Sequence, residues 1–490
     1  MATIDPPLDC PLPLELISQI LLSTWLAEPS HRLRVNFMLV SPRFLEAAES
    51  TAALWSEIWE QASPQSLPTY MQRSRCRPIH LHLRLESTDD LHSANTKMSH
   101  VDGRLGKLMI RGNVHNINAF LGTHSMSSVE HIEIRQTQAN THLLEQLPKK
   151  GFEDCRNLRS LTLGDGLCLP RRPMLPKALT TLNIRAVPKL NALLYALSAT
   201  CQLEHLSIGH TKISNIEPSK IVNLPHLQRL DASLVAGGNV ATVFGSLSFP
   251  ASTQVSLGLF ITSTGIESLH MDVQAATARL HDLGTPLVAV ESFAHGRHYE
   301  RGTLAVRCFQ HSLLTTHAHD RDPIFSIDMW WDNPWPIRDR EFLYTLIGDA
   351  LPTTHLREIA LRLSASGPPL VNADERVARP HLGLLDVVRA LDVAGRPVAL
   401  LLSGHTNTLV AAASSLAGLN HIVVSAEEWH VADRGRLERL FEARRRKGFS
   451  DVTIDLLDGE LEASFTGEVM ECLTSASYIH NRDSDEEHTM

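Results

Sequence analysis

The chain has 490 residues, 43% of them hydrophobic, and a formal net charge of −9. That length and apolar content exclude a disordered chain and leave room for several ordinary domains, or for one repeat array with a module attached. The acidic balance, with a pI near 6.3, supplies no global basic field and argues against nucleic acid as the main partner.

The seven cysteines include no Cys-x-x-Cys pair, which suits free thiols in a reducing compartment better than a disulfide framework. The opening MATIDPPLDC carries an acid where a secretory signal would carry lysine or arginine, and no apolar run approaches a membrane span. The expected location is therefore cytoplasmic, nuclear or both, with no membrane partner.

The first element opens at Pro13, whose fixed φ suits a first helical turn, and Glu15 faces the positive end of the helix dipole. Winding residues 14–25 at the helical period puts Leu14, Ile17 and Leu21 on one stripe and Leu16 and Ile20 on the next. More than half the circumference is then apolar, which a lone surface helix does not need. A second helical run spans 33–40, and Ser41-Pro42 gives a cap and a first-turn proline for a third run through Phe44 and Leu45. Three short helices with surplus apolar surface call for a partner.

These residues resemble the F-box, whose pattern opens with Leu-Pro-x-Glu-Leu, continues to an apolar-Ser-x-x-Phe segment and closes on Leu-Trp. Here those are Leu12-Pro13-Leu14-Glu15-Leu16 with Ile20-Leu21, then Val40-Ser41-Pro42-Arg43-Phe44, and Leu54-Trp55. The loop 27–32 is similar to the longer one of fungal F-box proteins. The resemblance, over about a tenth of the chain, implies an all-α module at 1–62 that docks on the Skp adaptor of a cullin-RING ubiquitin ligase. It implies adaptor contacts made or supported by Leu12, Pro13, Leu16, Ile20, Leu21, Val40 and Trp55. The plainer alternative is an apolar helical cap on whatever follows.

Residues 63–77, rich in Ser, Pro, Gln and Arg, read as a linker. Beyond them an apolar-x-x-apolar-x-apolar triplet recurs at Leu105-Leu108-Ile110, Val129-Ile132-Ile134, Leu158-Leu161-Leu163, Leu179-Leu182-Ile184, Leu203-Leu206-Ile208 and Leu227-Leu230-Ala232. Successive starts lie 24, 29, 21, 24 and 24 residues apart. Helical returns are expected at 191–197 and 116–121, and a weaker first copy at Cys76-Ile79-Leu81. The spacing resembles leucine-rich repeats, which implies an α/β solenoid of parallel strands and helices over 78–475. The asparagine that normally follows the strand is matched only at Asn113. A closed α/β domain is the competing fold.

The pattern blurs over 236–316, with one copy at Ile266-Leu269-Met271, and returns at Leu356-Ile359-Leu361, Leu419-Ile422-Val424 and Phe449-Val452-Ile454, with a further strand at 398–402. One continuous array, irregular at its centre, is the expectation. The acidic end, 476–490, reads as disordered.

If the strands line a concave wall, side chains alternating with the apolar ones face solvent. Arg111, His131, Glu133, Arg135, Asn183, Arg185, His205, Arg229 and Asp231 would then hold a protein substrate, arginine being suited to carboxylate or phosphate. Solvated strand positions are polar in any case, and that plainer account applies to each residue singly.

Three tryptophans, Trp330, Trp331 and Trp335, crowd a segment after the strand 324–329, where packing a core corner is favoured over a binding hot spot. His295 with His298, and His317 with His319, lack further ligands at a diagnostic spacing, so no metal is expected. No Gly-x-Ser-x-Gly elbow, P-loop or dinucleotide fingerprint occurs, and no cofactor or catalytic residue is assigned. The basic run 444–447 reads as the C-terminal end of a helix. The resulting expectation is the non-catalytic substrate receptor of an SCF-type ligase. The alternatives are a repeat scaffold without a ligase role and an α/β-hydrolase-like enzyme.

Overall fold

The computed structural model describes residues 12–101, 103–137, 145–148, 152, 154–170, 175–187, 190–211, 221–235, 239–261, 266–281, 289–298, 301–310, 322–331, 358–364, 398–403, 419–425, 442, 444–448 and 453–457. The fold is mixed α/β, with helices and a large, mostly parallel sheet. The chain forms two compact units, Met1–Leu227 and Gln228–Met490.

The first unit opens with four helices: α1 (Leu14–Ala27), α2 (His31–Val40), α3 (Pro42–Ser50) and α4 (Ala52–Trp55). Side-chain caps set the starts of two of them. Ser30 Oγ accepts from Leu33 N at 3.2 Å and Ser41 Oγ from Phe44 N at 3.3 Å, with Pro42 in the first turn of α3. Ile17, Leu21 and Trp25 of α1 pack inward with Ala47, Ala48, Leu54 and Trp55.

Strand β1 (Glu57–Ile58) pairs in parallel with β2 (Ile79–Leu85). Between them, the expected linker 63–77 is instead folded, with a 3-10 turn at Pro64–Ser66 and helix α5 (Leu67–Arg73). Leu67 and Tyr70 are one helical turn apart and both buried, the Tyr70 ring meeting Trp55 edge-on at 5.5 Å. Polar composition concealed a stripe only two residues long.

Then follow α6 (Thr88–Val101), β3 (Leu105–Gly112), α7 (Val114–Thr123), β4 (His131–Gln136), β5 (Glu145–Gln146), β6 (Ser160–Leu163), β7 (Leu167–Cys168), β8 (Thr181–Ile184), α8 (Leu190–Leu197), β9 (His205–Thr211) and β10 (Val222–Asn223). The sheet of this unit runs β1-β2-β3-β4-β6-β8-β9 in parallel, and β5 pairs separately with β7.

The apolar triplets set its register. Leu81, Leu108, Ile132, Leu161, Leu182 and Leu206 form one cross-strand row, and Leu83, Ile110, Ile134, Leu163, Ile184 and Ile208 the next. Every one of these side chains is buried. A one-residue slip would turn the whole set to solvent, so burial holds the register. Asn113 works twice here: its Oδ1 accepts from Asn116 N to cap α7, and its Nδ2 donates to Glu86 O at 2.7 Å, tying α7 to the end of β2.

The second unit contains β11 (Arg229–Val235), α9 (Asn239–Gly245), β12 (Leu247–Ser248), β13 (Gln254–Phe260), α10 (Ile266–His281), β14 (Ala289–His298), β15 (Arg301–Phe309), β16 (Phe325–Trp331), β17 (Glu358–Ser364), β18 (Val398–Ser403), β19 (Leu419–Ser425) and β20 (Thr453–Leu457). One expectation fails in it. The triplet Ile266-Leu269-Met271 is helical: Leu269, Val273 and Ala276 are buried at helical spacing while Met271 is exposed, the reverse of what a strand requires. Buried Asp272 on α10 accepts from Val240 N and Ala241 N at 3.0 and 3.3 Å, capping α9 from a distance in sequence.

Strand order departs from chain order at β14–β16. The sheet runs β11-β13-β16-β15-β14-β17-β18-β19-β20, and β15 is antiparallel to both its neighbours. The few residues between β14 and β15 permit a hairpin but no parallel crossover. Trp330 lies on β16 with its ring over Gly258, where a Cβ would stand 2.5 Å from the indole; Trp335 lies outside the described residues. No helix among the described residues is long and apolar enough to cross a membrane.

Candidate docking surfaces

Two surfaces of the first unit collect the residues singled out in the sequence. The first is apolar. Leu12, Leu16 and Ile20 recur every fourth residue and are 38%, 44% and 47% exposed, while Leu39 and Val40 at the end of α2 are exposed at 78% and 61%. Pro13 is also exposed. Leu21 and Trp55, named with them, lie inside the module and touch no solvent of consequence. The Trp55 Nε1–H donates to Ala48 O at 2.8 Å, so this ring fastens α4 to α3.

Sequence reasoning missed the residue that locks this module together, Arg34. It is 2% exposed. Its Nη1 donates to Leu54 O at 3.0 Å and Glu57 O at 3.2 Å, its Nη2 donates to the Tyr70 hydroxyl, and its guanidinium lies 4.5 Å from the Tyr70 ring centre and 5.3 Å from that of Trp55. Burial draws its pKa down, opposed by Tyr70 and Glu57. One side chain from α2 thus gathers α4, β1 and α5. Residues 33–40 read as merely helical because nothing local marks an arginine as buried.

The second surface is the polar face of the sheet. Arg111, His131 and Arg135 are exposed, Glu133 and Asn183 half-buried, and Arg185 and His205 exposed, each alternating with buried neighbours. Register aligns them: His80, Lys107, His131, Ser160, Thr181 and His205 form one row, and His82, Met109, Glu133, Thr162, Asn183 and Ser207 the next. Arg229 and Asp231 lie on β11 of the second unit, where Arg229 Nε meets Asp231 Oδ2 at 2.9 Å.

At the first strands a second cluster went unread. Glu57 Oε1 meets His80 Nδ1 at 2.6 Å, Glu57 Oε2 meets His82 Nε2 at 2.8 Å, and Trp59 stacks on the His82 ring at 3.8 Å. Burial alone would push the Glu57 carboxyl up. Hydrogen bonds and charge from the two histidines outweigh it and bring the pKa down to about 2. The alternation in Ile79-His80-Leu81-His82 signalled one outward face; the acid that joins them came from a separate strand. Among the described residues no group of three or more His, Cys, Asp or Glu is placed to hold a metal ion. The side chains of His295 and His298, and all of His317 and His319, lie outside what is described.

The thiols divide by depth. Cys76 and Cys201 are exposed, whereas Cys155, Cys168 and Cys308 are buried, and burial pushes the Cys155 thiol up to about 12. Burial thus disfavours the thiolate at Cys155, Cys168 and Cys308. No protein-family model matches the chain, and no similar sequence is found among curated proteins.

Proposed function

We propose that this chain is the substrate receptor of an SCF-type ubiquitin ligase, its N-terminal helices forming an F-box that docks on a Skp adaptor. A leucine-rich-repeat-like region would then present the substrate. The observation that carries this reading is the apolar set Leu12, Leu16, Ile20, Leu39 and Val40, left exposed on a module whose own core is already filled by Ile17, Leu21, Trp25, Leu54 and Trp55. Apolar side chains grouped on short helices in this way fit a partner interface.

On this reading Leu12, Pro13, Leu16, Ile20 and Val40 make the contact, and Leu39 joins them. Leu21 and Trp55 hold the backbone that presents them. The chain carries out no chemistry itself. Its contribution is proximity: a tethered substrate meets the charged conjugating enzyme at high effective concentration, which replaces a bimolecular encounter by a local one.

The test is co-purification of the Skp adaptor with wild-type chain and with Leu16→Asp/Ile20→Asp. Retention by wild type and loss by the variant supports the reading. Failure of the wild type to bind, or unchanged binding by the variant, removes the ligase role and leaves a protein-binding scaffold.

A further inference from the structure

We propose that the polar face of the Met1–Leu227 sheet binds an extended acidic protein segment lying across the strands along a row of arginines. The inference rests on the receptor reading above and names the substrate class. Arg84, Arg111 and Arg135 are direct register partners on β2, β3 and β4. The row continues through Gly164, whose N bonds Ile134 O, to Arg185, whose N bonds Leu163 O, and to Gly209, where a Cβ would stand 2.8 Å from the Arg185 Cα. At both glycines a Cβ would crowd the preceding strand, 3.2 Å from the Arg135 Cα at Gly164 and 2.8 Å from the Arg185 Cα at Gly209, so the row carries no further side chain at these two places.

Like charges on neighbouring strands, about 4.8 Å apart, oppose sheet formation. Carboxylates of the same chain offset this row only in part. Arg84 Nε lies 4.0 Å from Glu86, Arg135 Nε 2.5 Å from Glu133, and Arg185 Nη1 3.3 Å from Asp165, with each arginine side chain more than half exposed. Arg111 has no ion pair among the described residues, and Lys107 stands two rows away, in line with His80, His131 and His205. Within the strands of this sheet, the four fixed positive charges Arg84, Lys107, Arg111 and Arg135 therefore meet only Glu57 and Glu133, and Glu57 is committed to His80 and His82. A positive face on a chain of net charge −9 complements a segment rich in carboxylates or phosphates, which arginine pairs in two-toothed fashion.

The experiment uses the full chain and short fluorescent peptides alternating serine with glutamate, with glutamine, or with phosphoserine, followed by anisotropy. The glutamate or phosphoserine peptide should bind at least about tenfold more tightly than the glutamine peptide, and weaken as salt rises. Tighter binding of phosphoserine assigns a phosphorylated segment, and equal binding an acidic one. Arg111→Glu/Arg135→Glu should lose that preference, while Arg445→Glu/Arg446→Glu, of equal charge change, keeps it.

Should the double reversal fail to fold, Glu133→Gln decides, because it frees Arg135: tighter binding supports the face, unchanged or weaker binding overturns it. Equal affinity for acidic and neutral peptides, or wild-type affinity in the double reversal, also overturns it. So does an oligothymidylate of equal charge that binds more tightly than the peptides. Leu16→Asp/Ile20→Asp should bind peptide normally. Loss of the adaptor with peptide binding intact therefore sinks the ligase role alone, and the converse sinks this face alone.

Discussion

Leu16 and Leu21 lie five residues apart on α1, and their alanine variants should behave oppositely. Leu21 is wholly buried, so Leu21→Ala deletes core contacts and leaves a cavity, costing about 2–5 kcal/mol. Leu16 is 44% exposed, and because alanine is a better helix former, Leu16→Ala should change stability by less than about 1 kcal/mol. Its cost appears on binding instead. Covering the exposed part of one leucine, roughly 70 Å² at about 25 cal/mol per Å², is worth about 2 kcal/mol, or near thirtyfold in affinity. Denaturant unfolding followed by tryptophan fluorescence reads the first quantity, since Trp25 and Trp55 share the core with Leu21. Adaptor titration reads the second. If Leu16→Ala unfolds as easily as Leu21→Ala, the leucine faces inward and the docking argument fails.

The acid limb of stability should report Glu57. Its folded pKa of about 2 lies below the ordinary 4.5, so the stabilisation is fully present above pH 4.5 and is lost as the pH falls toward 2. With the side chain only 13% exposed, the shift corresponds to about 3 kcal/mol. Glu57→Gln should flatten that limb; a slope equal to wild type in urea titrations across this range would show that the histidines do not hold the carboxylate. Gly112 and Gly122 should part company. A Cβ at Gly112 would stand 2.4 Å from Leu85 O, whereas none of the surroundings of Gly122 on α7 comes within 4 Å. Gly112→Ala should therefore lose about 1–3 kcal/mol and Gly122→Ala lose nothing or gain slightly, as thermal melts will record.

The docking surfaces were legible to different depths. The every-fourth-residue spacing of Leu12, Leu16 and Ile20 was plain in the sequence, but so was that of Ile17, Leu21 and Trp25, and periodicity alone does not say which stripe the protein keeps for itself. The outward sheet positions were readable because apolar triplets leave only one parity for solvent. Arg34 and Glu57 were not, since each acts on partners between about twenty and forty residues away.

Local pattern determined the caps at Ser30 and Ser41, the strands of the first unit that begin near their triplets, and which side of each strand meets water, because all of these depend on neighbours within a turn or a pleat. Tertiary packing decided the rest. It made a helix of Ile266–His281 although the triplet fitted a strand, it set β15 antiparallel between β14 and β16, and it folded 63–77 against Trp55. The same apolar spacing satisfies a strand or a helix until something else in the fold supplies the surface it must cover.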